Sequence, residues 1–281
     1  MYKNILELTK EAENNHTMVG AFNVHNLEML PDMIRAAQEM KAPIIIQTSI
    51  DTAKYIGYKV LVTIVKTMAV ENNVDIALHL DHARDFDEIK AAIQAGYNSV
   101  MYDGSHLPIE ENIKHTREVV EYAHAHNVAV EGEIGTIGGT EEGIHVDEND
   151  KQYTDPQQAK YFVEQTGCDI LAIGCGTNHG QFSSKAELNI PLVAEIRDTV
   201  HIPLVIHGGT GVKESDYEAL CNAGIRKFNV GTEQLVTWTR VAKQSFLETK
   251  VNKSLRYNVI PANEAVKEVV KHKIELFLGE H

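Results

Sequence analysis

Three histidines stand in short motifs at the ends of apolar runs: His82 in HLDHA (79–83), His179 in GTNHG (176–180) and His207 in IHGG (206–209). Three neutral imidazoles converging from different loops form a tetrahedral zinc site with the fourth position open to substrate, whereas a closed structural site would use four protein ligands. Asp81 directly precedes His82. A carboxylate there lies beside such a metal without having to bind it, a natural place for a general acid or base. Position alone leaves two readings open, a shared metal site or three unrelated histidines. His115, His124 and His126 fall on one helical pattern and are read as solvated.

Two glycine-bearing segments offer a different chemistry. GGTG (208–211) and NVGTE (229–233) can present successive backbone N–H groups at helix N-termini and so hold a phosphate. A glycine pair by itself more often marks a tight turn. The formal net charge of -14 argues against nucleic-acid binding, which relies on clustered Lys and Arg. It leaves a small partner, and an anionic one must be held by local donors or a metal.

The elements that must position these groups recur as strand then helix. Apolar runs lie at 19–23, 43–49, 75–81, 98–104, 128–134, 169–176, 203–209 and 225–231. Between them, 27–40, 58–72, 85–96 and 108–126 carry apolar residues at three- and four-residue spacing. Crossover helices make the strands parallel, and eight units in one undivided chain predict an α/β fold, a single (β/α)8 barrel domain over residues 1–281. The tail adds helical patterns at 232–250 and 261–278, one helix more than the eighth unit needs, expected to cover an edge or a partner.

In such barrels the chemistry sits at the C-terminal strand ends. Those ends carry Asn23 and His25, Ser49, Asp81 and His82, Asp103 and Ser105, Glu131 and Glu133, His179, His207 to Gly209, and Asn229 to Gly231. The hydrophobic fraction of 43% and charged fraction of 23% are ordinary for a soluble protein. The three cysteines, Cys168, Cys175 and Cys221, lack CxxC spacing, so reduced thiols in a cytoplasm are expected. The first residues read as a short amphipathic helix, and neither a signal peptide nor a membrane span is expected.

Six motifs in order carry a resemblance: HLDHA, SVMYDGSH (99–106), VEGEIG (130–135), GTNHG, IHGGTG (206–211) and FNVGTE (228–233), flanked by FNVHNLEM (22–29) and LRYNVIPANEAVKEVV (255–270). Together they resemble the class II ketose-bisphosphate aldolases across almost the whole chain. The resemblance implies zinc held by His82, His179 and His207, with Asp81 handling the C4 hydroxyl proton. It also matches Asp103 and Glu133 to an alternative or second metal position, although carboxylates orienting a histidine explain them equally well.

Cleaving a carbon–carbon bond beside a carbonyl needs an electron sink, either a lysine Schiff base or a Lewis-acid metal. Lys227, inside the eighth run, is the one lysine in the strand-end segments, and a structural role explains it as well as a catalytic one, so the metal is favoured. Glu141, in TIGGTEEG (136–143), matches the family's loop glutamate and would move the C–H proton of the dihydroxyacetone phosphate half. Gly180, Gly208, Gly209, Thr210, Asn229, Val230, Gly231 and Thr232 are the expected substrate-binding positions. Ser49 and Arg256 are matched to the distal end, Arg256 from a neighbouring subunit, which implies a homodimer.

Two departures from the family pattern bear on substrate. Ser183 stands where many fructose-bisphosphate members carry lysine, and Gly231 replaces an aspartate that some use to read sugar stereochemistry. The same chemistry on 6-phospho-5-dehydro-2-deoxygluconate or 6-sulfofructose 1-phosphate is therefore an alternative. A zinc hydrolase or a non-catalytic sugar-phosphate sensor are rivals from other classes. The phosphate loops disfavour the first, and the intact Asp81 with three histidines disfavours the second.

Overall fold

The structure, a computed structural model, describes residues 1–135, 138–141, 144–146, 153–179, 188–209, 212–248 and 254–279. In chain order the strands are β1 (Val19–Asn23), β2 (Ile44–Thr48), β3 (Ile76–Ala83), β4 (Ser99–Tyr102), β5 (Ala129–Ile134), β6 (Gly138–Glu141), β7 (Ile144–Val146), β8 (Ile170–Ile173), β9 (Asn178–His179), β10 (Leu204–Ile206) and β11 (Ile225–Val230). The helices are α1 (Ile5–Asn15), α2 (Leu30–Met40), α3 (Ile50–Ile56), α4 (Tyr58–Glu71), α5 (Phe86–Ala95), α6 (Ile109–His124), α7 (Pro156–Thr166), α8 (Ile190–Val200), α9 (Tyr217–Ala223), α10 (Thr232–Glu248) and α11 (Arg256–Leu278).

Eight of these strands close into a parallel barrel in the order β1-β11-β10-β8-β5-β4-β3-β2, each overlapping one of the eight apolar runs. The fold is the (β/α)8 barrel. Side chains alternate across each strand, so one set packs outward against the helices and the other fills the interior. The lower interior is apolar, with Val19, Ala21, Ile45, Ala77, Ala129, Ile170, Ala172 and Val205. Helix α1 plugs it from below through Ile5, Leu8 and Ala12, and full burial of a side chain such as Ile5 or Leu8 contributes roughly 1.5–3 kcal/mol. That helix starts on a reciprocal cap: Asn4 accepts from the Glu7 amide at 2.9 Å, and the Glu7 carboxylate accepts from the Asn4 amide at 2.8 Å. With the lower end sealed by hydrocarbon, the polar residues collect at the other end.

The tail divides its labour in a way the patterns did not reveal. Helix α11 packs on β1, α2 and α9, burying Val266, Val270, Ile274 and Phe277 in the main core. Phe277 meets Phe228 at 5.2 Å and Tyr217 at 5.6 Å between ring centroids. It therefore completes the helical ring, and the additional helix is α10, which lies against α11 and buries only Gln234 and Ala242. The TIGGTEEG segment, matched to the family's loop glutamate, contains strand β6, which pairs antiparallel with β7 just beyond it and in parallel with β9 through Gly138↔Asn178 and Gly139↔His179. Among the described residues, no helix is long and apolar enough to cross a membrane.

Candidate active site at the barrel mouth

β3 ends in an irregularity that shapes everything above it. Its pairing with β4 shifts register between Leu80 and Ala83, and His82 adopts a φ of 46°, a left-handed backbone that costs a residue with a Cβ roughly 1–2 kcal/mol. In a regular strand Asp81 and His82 would point to opposite faces. Here ligand atoms of Asp81, His82 and His207 all lie within 4.8 Å of one another.

His207, just past β10, is fully buried. Its Nδ1 stands 2.7 Å from Nε2 of His82, with the two rings nearly perpendicular at 86°. Its Nε2 stands 2.7 Å from Oε1 of Glu131. Burial and the neighbouring His82 push the His207 imidazole below its ordinary range, against the opposing pull of Glu131. A neutral ring that donates Nε2–H to a carboxylate turns the lone pair of Nδ1 toward His82. Two imidazole nitrogens facing each other beside a carboxylate form a donor set that suits a divalent ion such as zinc.

The other nitrogen of His82 faces a second cluster. Nδ1 is 3.3 Å from Oδ2 of Asp103 and 3.9 Å from Oε2 of Glu133, and these three residues also have ligand atoms within 4.8 Å of one another. Asp103 accepts from Arg84 Nε at 2.9 Å and from Ser105 Oγ at 2.7 Å. Burial raises the Asp103 carboxyl, but His82, Arg84 and Ser105 outweigh it and hold the group well below the usual carboxylate range.

Asp81 is 2% exposed and is gripped at both oxygens: Gln47 Nε2 donates to Oδ2 at 2.9 Å and Asn229 Nδ2 to Oδ1 at 3.4 Å. Gln47 Nε2 also donates to Oδ1 of Asn23 at 2.8 Å. One layer deeper, Lys227 Nζ stands 2.8 Å from Oε2 of Glu131 and donates to Oδ1 of Asn229 at 2.7 Å. Burial alone would raise the Glu131 carboxyl, yet Lys227 and His207 keep it well below its ordinary value. His79 Nε2 lies 3.4 Å from Glu131 and 3.9 Å from Asp81. Burial and the Lys227 charge push that imidazole down to about 3.

The two glycine segments approach closely. A Cβ at Gly209 would lie 2.0 Å from the Phe228 ring and 2.8 Å from the Asn229 carbonyl oxygen, so no side chain fits between the ends of β10 and β11. Gly208 has φ 66°. A Cβ at Gly231 would lie 2.8 Å from Oδ1 of Asn23. α10 begins at Thr232, immediately after Val230 and Gly231. Gly180, Ser183 and Thr210 lie outside the described residues, as do the side chains of Glu141 and His179, whose main chain lies in β6 and β9.

The clusters thus bring together Asp81, His82, His207, Asp103, Glu133 and Asn229. Ser49 and Arg256 are members of neither group. Ser49 caps α3 by accepting from the Thr52 amide at 3.3 Å, and Arg256 is exposed at the start of α11 with Ser254 and the Tyr257 ring as neighbours. Gln47, His79, Lys227 and Arg84 were not among the expected site residues, and neither Asn23 nor Glu131 had been given a role. The signal that finds four of the six is a polar residue two positions before an expected one: Gln47 before Ser49, His79 before Asp81, Glu131 before Glu133, Lys227 before Asn229.

A parallel barrel with imidazoles and carboxylates converging at its C-terminal rim is the architecture of a barrel enzyme. The profile described as "Fructose-bisphosphate aldolase class-II" matches residues 3–280, and the chain belongs to that family. By that membership it is a class II aldolase. The chain is similar to the YdjI aldolase from Escherichia coli K12, at 34% identity and a TM-score of 0.87 over 99% of this chain and 97% of that one. It shares its fold with the fructose-bisphosphate aldolase of Campylobacter jejuni, at 22% identity and a TM-score of 0.82 over 96% of this chain and 93% of that one.

Proposed function

We propose that the protein is a zinc-dependent aldolase, one catalytic domain over residues 1–281, that reversibly cleaves a ketose of the fructose or tagatose 1,6-bisphosphate type into dihydroxyacetone phosphate and an aldehyde. The convergence of His82, His207 and Asp81 at the strand ends carries this conclusion. Imidazole donors favour zinc over harder cations. His179 supplies the third imidazole, while Asp103 and Glu133 either hold an ion in a second position or anchor the His82 ring.

When bound, the ion supplies a Lewis acid beside the ketose carbonyl, so the adjacent carbon–carbon bond can break. Asp81, oriented by Gln47 and Asn229, takes the C4 hydroxyl proton as that carbon becomes the aldehyde. Glu141 returns a proton to C3 of the three-carbon half. Backbone amides at Gly180, Gly208, Gly209 and Thr210 and from Asn229 to Thr232 bind the proximal phosphate. Ser49 and the partner's Arg256 receive the distal group.

A homodimer agrees with the exposed face of α10. Leu235, Val236, Phe246 and Leu247 are 43%, 37%, 48% and 79% exposed, and residues eleven apart return to one helical face after three turns. A cytoplasmic location agrees with three buried free thiols. The bare Gly231, with Asn23 filling its place, also favours the alternative distal groups, a carboxylate or a sulfonate.

The experiment is a retro-aldol assay of zinc-loaded enzyme over 1-phosphorylated ketoses differing at C4 and at the distal group. Cleavage of at least one to dihydroxyacetone phosphate is expected; inertness toward all of them would end the proposal.

A further inference from the structure

A half-turn of a side-chain amide exchanges a donor for an acceptor with almost no change of shape. Asn229 must present nitrogen to Asp81, because an amide oxygen facing a carboxylate would be repelled. Its contact there is long, 3.4 Å from Nδ2 to Oδ1, and a bond of that length does little by itself to choose between the two orientations. The choice is made at the other end of the amide, where Asn229 Oδ1 accepts from Lys227 Nζ at 2.7 Å. An ammonium has three donors and no acceptor, so it accommodates the amide oxygen and rejects the NH2 group.

Lys227 is itself held in place. It is fully buried, stands two residues before Asn229 on the same interior face of β11, and is tied at 2.8 Å to Oε2 of Glu131. Glu131 in turn holds His207 through its other oxygen. One chain of contacts therefore runs from the imidazole of His207, through Glu131, Lys227 and Asn229, to the carboxylate of Asp81.

We propose that Lys227 is a positioning residue: it fixes the Asn229 amide so that its N–H faces Asp81, and it affects turnover only through Asn229. This rests on Asp81 being the acid/base of ketose cleavage. The ammonium is part of the orienting framework and is not a nucleophile toward the substrate carbonyl.

The test is a double-mutant cycle on zinc-loaded enzyme, using whichever 1-phosphorylated ketose, with a phosphate, carboxylate or sulfonate at its distal end, the wild type cleaves. Lys227→Met is expected to lower kcat about 10–100-fold with KM within about threefold, the size of effect that follows from misplacing a reacting group. In an Asn229→Ala background the same substitution should lower kcat by less than about threefold, because the amide it acts through is already gone. Equal fold losses in the two backgrounds, or wild-type kcat in Lys227→Met, overturn the proposal. If Lys227→Met leaves Glu131 unpaired and fails to fold, the cycle is run in a Glu131→Gln background, with the same outcomes decisive. A readout independent of turnover is the Asn229 side-chain amide resonance, identified by its loss in Asn229→Ala. It should shift or split in Lys227→Met, and an unchanged resonance counts against the proposal. A wild type that cleaves none of these ketoses sinks the acid/base premise before any variant is compared, so the two failures are distinguishable.

Discussion

Nδ1 of His207 and Nε2 of His82 face each other across 2.7 Å, although the two residues lie 125 positions apart in the chain. No ordinary packing need brings two imidazole lone pairs together. A shared proton or a shared cation does, and the carboxylate of Asp81 close to both favours the cation.

Removing the metal should therefore abolish aldol cleavage, and zinc should restore it. His207→Ala should lose both bound zinc and activity. Glu131→Gln, which keeps an acceptor for His207 but removes its charge, should weaken zinc affinity about 10–100-fold. Competition with a chromophoric chelator measures this directly. Full activity after exhaustive chelation, with no metal found by elemental analysis, would eliminate the ion.

Asp81→Ala should retain zinc and bind substrate with KM changed only a few-fold, while kcat falls by about 10²–10⁴, the range for loss of a general acid or base. Borohydride added during turnover should trap no covalent adduct, because Lys227 is already engaged with Glu131 and Asn229. A trapped lysine would replace the metal mechanism with a Schiff base.

His79 predicts a pH effect on the stability of the metal-free protein. Its folded imidazole is pushed from the ordinary 6.5 down to about 3, so below pH 6.5 the unfolded chain takes up a proton that the folded one refuses. Stability is thus fully present above that value and declines as the pH falls toward 3, with a slope approaching about 1.4 kcal/mol per pH unit. The low-lying carboxylates Glu131 and Asp103 act in the same sense, but only below their ordinary range near pH 4. Urea unfolding at pH 7.5 and 5.5 should show a smaller decline for His79→Gln than for wild type, and equal declines would mean that His79 accepts a proton inside the fold.

The apolar stripe on α10 predicts that Phe246→Lys with Leu247→Lys shifts the protein toward monomer in sedimentation velocity, with little loss of thermal stability in the isolated subunit. An unchanged assembly state would move the interface elsewhere.

The eight barrel strands were legible because buried parallel strands are short continuous apolar runs and the helices between them keep a 3.6-residue period. β6, β7 and β9 left no such trace: Gly138, Gly139 and Thr140 have little apolar surface to reveal a strand. The division of roles between α10 and α11 was hidden because it depends on which helix reaches β1 and α2, a tertiary fact. At the site, strand-end position and motif pointed to His82, His207 and Asp81. The supporting layer was overlooked because Gln47, His79 and Lys227 read as interruptions of apolar strands, and nothing in the residue type of His82 announces a left-handed backbone.

The pairing of β1 with β11 has a consequence for how the protein is made. The first strand waits for a neighbour that leaves the ribosome some two hundred residues later, and α11, which covers β1, emerges later still. Until then an apolar edge stays open, so long-range closure should be slow and this chain prone to self-association during synthesis. Shortening the C-terminus by a single helix would leave that last seam, between the first stave and the final one, bare to water on its outer side.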